Sequence, residues 1–154
     1  MKIYLWRGSK SRISRIIKWF TGGDISHVGF VDKDGYIIEA DMFKNGIIRH
    51  KNTFQNDPDY TEIELPFGEE ELEKIQEIAL ELMDKIKYDY WLILCHAFGY
   101  KKVKNYRRLY RKTRMICSEF VAFCIYRATG KNLIEKFPSN IQPHEFAILL
   151  EERV

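Results

Sequence analysis

The stretch DISHVGFVDKDGYIIEA, residues 24–40, decides the fold, because its pattern is typical of two strands joined by a tight turn. Apolar and β-branched residues dominate both halves, and Asp34-Gly35 between them is a hairpin turn signal. Two polar side chains interrupt these apolar strands, His27 in the first and Glu39 in the second. A buried carboxylate needs a partner, and an imidazole across the hairpin would supply one.

The length of the turn decides whether His27 and Glu39 meet. A two-residue turn at Asp34-Gly35 would place them on opposite faces of the hairpin. A three-residue loop, with Gly35 in the left-handed conformation, would instead pair Gly29 with Glu39. Glu39 would then lie diagonal to His27 on the same face, with about 7–8 Å between the backbones. Gly29 itself indicates the close approach of another group, because it leaves space beside the imidazole.

The remainder of the chain predicts one α+β domain spanning residues 1–154, with no internal repeat and no linker. Short apolar runs predict strands, and apolar residues at helical spacing predict helices. The expected strands are 2–6, 25–31, 36–40, 45–50 and 60–65, the expected helices are 9–20, 69–86, 88–100 and 116–129, and residues 138–146 are expected to form a loop.

Composition sets limits on the class of protein. The chain has 154 residues of which 45% are apolar, enough for one domain with a sizeable core. The net charge of +3 names no partner. The N-terminus MKIYLWRGSK lacks the apolar region of a signal peptide, and the longest apolar run is shorter than the about 20 residues of a membrane-spanning helix. We therefore expect a cytoplasmic protein without a transmembrane segment.

The chain has three cysteines, and this odd number does not indicate a disulfide framework. Cys117 stands where a strongly apolar helix begins, and the free amides and dipole of a helix N-terminus lower the pKa of a thiol. Cys95 and Cys124 are typical of buried apolar positions. Together Cys117, His27 and Glu39 have the complementary chemistry of a nucleophile, a base and a residue that orients the base.

Four motifs in a fixed order, SHVGFV, IIEA, YDYW and ICSEFVAF, resemble the circularly permuted papain-like cysteine hydrolases. This family is related to NlpC-type cell-wall peptidases and to lecithin-retinol acyltransferase-like proteins, and in it the histidine hairpin precedes the cysteine helix, as here. The opening segment before His27 and the late NIQPHEF are also similar to that branch. The resemblance implies a permuted papain-like (NlpC-type) fold, with a small antiparallel sheet packed against helices.

The same resemblance implies roles for individual residues. Cys117 matches the nucleophile, His27 the base and Glu39 the polar third member of the triad. Tyr88 matches a tyrosine that helps to hold the oxyanion, and Tyr90 is its neighbouring rival. A second oxyanion donor would be the backbone amide of Cys117. Two features complete the comparison: Ser118 is a further candidate for oxyanion or substrate binding, and RMI at 114–116 departs from the family, in which an aromatic residue often precedes the cysteine.

The implied activity is that of a cysteine peptidase or amidase, which cleaves an amide bond through a thioester and needs no cofactor or metal. Its substrate would be a peptide or a peptidoglycan-like polymer. Two alternatives remain open. The same triad could hydrolyse or transfer a lipid acyl chain, which an apolar groove and activity on esters would favour. Alternatively, the chain could be a non-catalytic binding module, for which Cys117 would be dispensable.

Residues 101–114, KKVKNYRRLYRKTR, form a basic segment with two interleaved tyrosines. The segment is typical of a solvated surface, and it would also suit contact with an anionic polymer or lipid headgroups. We expect no nucleic-acid partner, because there is no groove-reading motif and no zinc-ligand spacing. His50 and His144 stand isolated in the sequence, so no metal site is expected.

Overall fold

The structure is a computed structural model that describes residues 1–8, 12–97, 113–134 and 141–147, with the backbone alone at 13, 16, 20, 21 and 94–97. This part of the chain is a mixed α+β structure with a five-stranded antiparallel sheet and four α-helices, which confirms the expected α+β class. Most of the basic segment, residues 101–112, lies outside the described residues, as does the side chain of Cys95. No helix in the described ranges is long and apolar enough to cross a membrane.

The strands are β1 Lys2–Trp6, β2 His27–Val31, β3 Tyr36–Asp41, β4 Gly46–Lys51, β5 Tyr60–Glu64, β6 Lys87–Tyr88 and β7 Arg114–Met115; the helices are α1 Arg12–Thr21, α2 Glu69–Glu81, α3 Tyr90–Ala97, α4 Cys117–Thr129 and the 3-10 helix Pro143–Ala147. The order of strands in the main sheet is β4-β3-β2-β1-β5, and β6 and β7 form a separate parallel pair. Most boundaries lie within two residues of expectation, and three differences are larger in kind. Helix α2 ends five residues early, before a turn in which Asp84 has a left-handed φ of 63°. Strand β6 takes the start of the expected helix 88–100, and the 3-10 helix overlaps the expected loop 138–146.

The hairpin of β2 and β3 has the three-residue loop. The backbone N–H of Asp32 donates to the carbonyl oxygen of Tyr36 at 2.9 Å, and Gly35 has a left-handed φ of 78°. Phe30 pairs with Ile38, a register that continues to Gly29 opposite Glu39. This confirms the register that brings His27 and Glu39 to one face.

A polar cluster around Asp32 holds this turn in place. The Asp32 carboxylate accepts backbone N–H bonds from Asp34 and Tyr36, each at 2.9 Å, and a third bond from Arg49 Nε at 2.7 Å. The Arg49 guanidinium also lies over the Tyr36 ring, 4.1 Å from its centroid. Because a one-residue slip would break all of these contacts, the cluster stabilises the register on which the site depends.

The two faces of the sheet have different neighbours. On one face, Val28 and Phe30 belong to the main core under α4, where the rings of Phe30 and Phe120 meet edge-on at 5.6 Å. On the other face, Tyr4 and Ile37 belong to a smaller apolar cluster. Side chains alternate along a strand, so His27 and Glu39 project from this second face.

Candidate active site

His27 and Glu39 form a short hydrogen bond, with 2.7 Å between Nε2 of the imidazole and Oε2 of the carboxylate. The Glu39 side chain is only 9% exposed and the His27 side chain 20% exposed. Glu39 is therefore not a surface glutamate in water, and the hairpin brings these two predicted site residues together.

Gly29 provides the space that the contact needs. Tyr4 pairs with Gly29 across β1 and β2, and a Cβ atom at position 29 would lie 2.6 Å from Cε1 of the Tyr4 ring and 3.0 Å from Cβ of Glu39. The Tyr4 hydroxyl donates a hydrogen bond to Oε2 of Glu39. The group expected to approach the glycine is thus the Tyr4 ring, a site residue that the sequence analysis missed.

His50 is the second residue that the sequence analysis missed, and the expectation that it is isolated is wrong. Its Nε2 lies 3.0 Å from Oε1 of Glu39. The β3–β4 register pairs His50 with Ile37, two residues from Glu39 along β3, so both side chains share one face. The alternation in NGIIRH, combined with the hairpin after Asp41, was a signal that could have revealed this contact.

Burial determines the charge of the His27 ring, and the contact with Glu39 determines which ring nitrogen carries the proton. Burial lowers the pKa of His27 to about 4; the nearby charge of Asp41 opposes this change, and the positive charge of His50 contributes to it. The ring is therefore neutral at pH 7. When Glu39 is ionised it can only accept hydrogen bonds, and the single ring proton of His27 then lies on Nε2. This leaves the lone pair of Nδ1 free to accept a proton, as a general base requires.

Cys117 begins α4 as predicted and is 3% exposed. Burial raises the pKa of its thiol to about 12, although the backbone amides of Val28, Ser118 and Cys117 itself act in the opposite direction. The expectation that the helix N-terminus lowers this pKa is therefore wrong for this structure, because desolvation outweighs the amides and the dipole. Thiol and imidazole are both neutral here.

The amide of Val28 places the Cys117 sulfur beside the backbone of β2, directly after His27 in the chain. The hydrogen bonds among the described residues nevertheless include none between this sulfur and the His27 ring. Cys117 belongs to the main core, whereas His27 projects from the other face of the sheet. The structure thus brings the base and its orienting residue together, with the thiol next to the adjoining backbone.

The three remaining candidates lie in different surroundings. Tyr88 is 3% exposed, and burial is the main cause that raises the pKa of its hydroxyl, with the nearby acidic groups Cys117 and Asp41 acting in the same direction. The hydroxyl of Tyr90 donates instead to the Met42 carbonyl. Ser118 is fully buried and donates to the carbonyl of Ile141 at 2.7 Å, so its visible role is to anchor the segment before the 3-10 helix. Tyr88 is the best placed of the three.

A cavity of about 290 Å³ opens beside the His27–Glu39 pair. Its polar lining includes both of these residues, and its apolar lining comes from β1, α1, the β3–β4 turn and the segment after β4. Cys117 is not among the lining residues, so its sulfur is closed off from this space in the present structure. The apolar and aromatic lining residues are Tyr4, Trp6, Ile17, Met42, Phe43, Phe54 and Tyr88.

Metal-ligating side chains and similarity to known proteins both bear on the identity of the site. Within residues 1–8, 12–97, 113–134 and 141–147, no group of three or more His, Cys, Asp or Glu side chains is arranged to hold a metal ion. Comparison with protein-family models and with curated proteins finds no match to this chain. The geometry of the site is therefore the basis for the function proposed below.

Proposed function

We propose that this protein is a cysteine-dependent hydrolase of the permuted papain-like fold that cleaves an amide bond by acyl transfer to Cys117. The observation that carries the proposal is the orientation of His27. Its Nε2 is engaged at 2.7 Å by a buried carboxylate beside a cavity, which leaves Nδ1 for a proton from the nucleophile. A buried glutamate contributes little to apolar packing. An imidazole that is hydrogen-bonded to a buried carboxylate is typical of the base in a catalytic triad.

The reaction requires a rearrangement that exposes the Cys117 sulfur beside His27, because in the present structure the sulfur lies in the main core and does not line the cavity. It then begins with the transfer of the Cys117 thiol proton to Nδ1 of His27. The sulfur attacks the carbonyl carbon, and the oxyanion is held by the backbone N–H of Cys117 and the hydroxyl of Tyr88. His27 then returns the proton to the leaving amine, and a thioester remains. Water, deprotonated by His27, hydrolyses the thioester to a carboxylic acid and restores the thiol. Because burial raises the pKa of the thiol, proton transfer accompanies the attack rather than preceding it.

The lining of the cavity supports a second candidate, the hydrolysis or transfer of a lipid acyl chain. Aromatic and aliphatic side chains surround the polar pair, and Phe43 at the β3–β4 turn is 79% exposed. Such a surface suits an alkyl chain better than a charged peptide. The triad and the thioester would be the same, and the leaving group would be an alcohol.

The test of both candidates is a comparison of p-nitroanilide amides with p-nitrophenyl esters of short and long acyl chains. Cys117→Ala should abolish turnover, whereas Cys124→Ala, a matched change at a fully buried position on the same helix, should retain it. Thermal unfolding of each variant checks that it remains folded. Preference for long-chain esters over all amides would favour the lipid candidate. Equal turnover by Cys117→Ala and the wild type would contradict the role of Cys117, and no turnover of any substrate by the folded wild type would favour a non-catalytic binding module.

A further inference from the structure

His50 has hydrogen-bond acceptors at both of its ring nitrogens. Nε2 lies 3.0 Å from Oε1 of Glu39, and Nδ1 lies 3.1 Å from the backbone carbonyl oxygen of Lys51. A carbonyl oxygen can only accept, and so can an ionised carboxylate. When Glu39 is ionised, both nitrogens therefore carry a proton, which makes the ring an imidazolium; Glu39 raises the pKa of His50 in the same direction. The side chain of His50 is 31% exposed, so it can exchange protons with solvent.

We propose that His50, held as an imidazolium, is a positioning residue that keeps Glu39 ionised and thereby fixes the proton of His27 on Nε2. The inference rests on the proposed function only for its effect on turnover. The tautomer of His27 is a property of the folded protein and can be measured without any substrate.

Burial of a charged carboxylate costs free energy unless hydrogen bonds and opposite charges compensate for the lost water. Glu39 accepts hydrogen bonds from His27, Tyr4 and His50, and of these three donors only His50 contributes a full positive charge. Burial raises the pKa of Glu39, and the hydrogen bond and charge of His50 oppose that rise. Glu39 in return raises the pKa of His50. The pair thus stabilises the state in which the carboxylate is charged.

Loss of the His50 charge would reverse the hydrogen bond between Glu39 and His27. A neutral carboxylic acid next to Nε2 donates its own proton, so the ring must hold its proton on Nδ1 instead. Nδ1 would then have no lone pair to receive the proton of the thiol. The same event takes up one proton from solvent: the Nε2 proton passes to the carboxylate, Nδ1 gains a new proton, and every residue stays in place.

Other titratable groups around the cluster act in a consistent direction. Asp41, on the same face of β3, raises the pKa values of His27, Glu39 and His50. The Tyr4 hydroxyl from β1 donates to Glu39, and burial raises the pKa of Tyr88 from β6 and of Cys117 from α4, so these two groups are neutral at pH 7. The active state therefore requires a pH above the pKa of Glu39 and below that of His50. Loss of His50 should move the acid limit of activity to higher pH.

The experiment compares His50→Gln, which can still donate to Glu39 but has no charge, with His50→Arg, which keeps the charge. Lys51→Gln is the matched control, because it removes a positive charge from the next residue of β4 and leaves the backbone carbonyl in place. Two-bond ¹H–¹⁵N correlation spectra at pH 7 report the protonation of each ring nitrogen. We expect wild-type protein, His50→Arg and Lys51→Gln to show His27 protonated on Nε2, and His50→Gln to show it on Nδ1.

A neutral His50 in the wild-type spectrum would overturn the inference, and so would an unchanged His27 tautomer in His50→Gln. If the protein turns over a substrate, His50→Gln should lower kcat by about tenfold or more, with little change in KM and a raised acid limit in the pH profile. A protein with no activity would contradict the proposed function and leave the tautomer result standing, so the two failures are distinguishable.

Discussion

Acidification from pH 7 to pH 5 should destabilise the folded protein through His27. Burial lowers the pKa of this residue from its ordinary 6.5 to about 4. Since the unfolded chain binds the proton first, the stabilisation is fully present above pH 6.5 and is lost as the pH falls towards 4. For these two pKa values, linkage gives a loss of about 2 kcal/mol between pH 7 and pH 5, and about 3 kcal/mol when the transition is complete.

The assay is urea unfolding of the wild type and His27→Gln at pH 7 and pH 5, followed by circular dichroism. Glutamine is neutral at both values and can still donate to Glu39, so the difference between the proteins isolates the titration of His27 from those of Glu39 and His50. We expect the wild type to lose about 2 kcal/mol more than the variant over this interval. An equal loss in both proteins would show that His27 is not buried in its neutral form, and the description of the base would then be wrong.

Three further substitutions test the packing and the oxyanion contact. Gly29→Ala should lower the free energy of unfolding by about 1–3 kcal/mol, because the new Cβ would lie 2.6 Å from the Tyr4 ring; a neutral effect in urea unfolding would refute the close approach. Phe120→Ala should cost about 3–5 kcal/mol, since this ring is fully buried between α4 and the sheet; a loss below about 1 kcal/mol would contradict the assigned core. Tyr88→Phe should lower kcat about 100-fold without unfolding the protein, whereas Tyr90→Phe should leave steady-state kinetics nearly unchanged. The opposite ranking would transfer the oxyanion role to Tyr90.

The hairpin could be predicted from sequence because its determinants are local. Asp34-Gly35 and the alternating apolar residues define a small number of registers, and only one of them brings Glu39 to the face of His27. The close approach at Gly29 was likewise predictable, because a glycine within an apolar strand is seldom neutral. Its occupant was not, since Tyr4 comes from a strand that is distant in sequence.

Two features depend on tertiary structure and could not be predicted in the same way. His50 meets Glu39 through the register of β3 and β4, for which the sequence offers weaker turn signals than Asp34-Gly35. The thiol of Cys117 has the helix N-terminus that the sequence predicts, but its pKa follows burial, which depends on how the sheet and α4 pack. Local dipoles can be identified from sequence more readily than the desolvation that opposes them.

The raised pKa of the Cys117 thiol affects its reactivity with alkylating reagents. In the closed state the Cys117 thiol should react slowly with alkylating reagents, because the reactive species is the thiolate. Reaction should accelerate when a substrate or a substrate analogue uncovers the sulfur. The amount of free thiol is therefore a poor measure of active sites, and an acyl substrate is the better probe.

Identification of the acyl-enzyme decides whether Cys117 is the nucleophile. Wild-type protein is mixed with an activated amide or ester substrate, quenched in acid within one turnover, digested and mapped by mass spectrometry. We expect one acyl group, attached to Cys117, in the wild type and in Cys124→Ala, and no acyl group in Cys117→Ala. An acyl group on Cys95 or Cys124, or continued hydrolysis by folded Cys117→Ala, would contradict the assignment of Cys117 as the nucleophile.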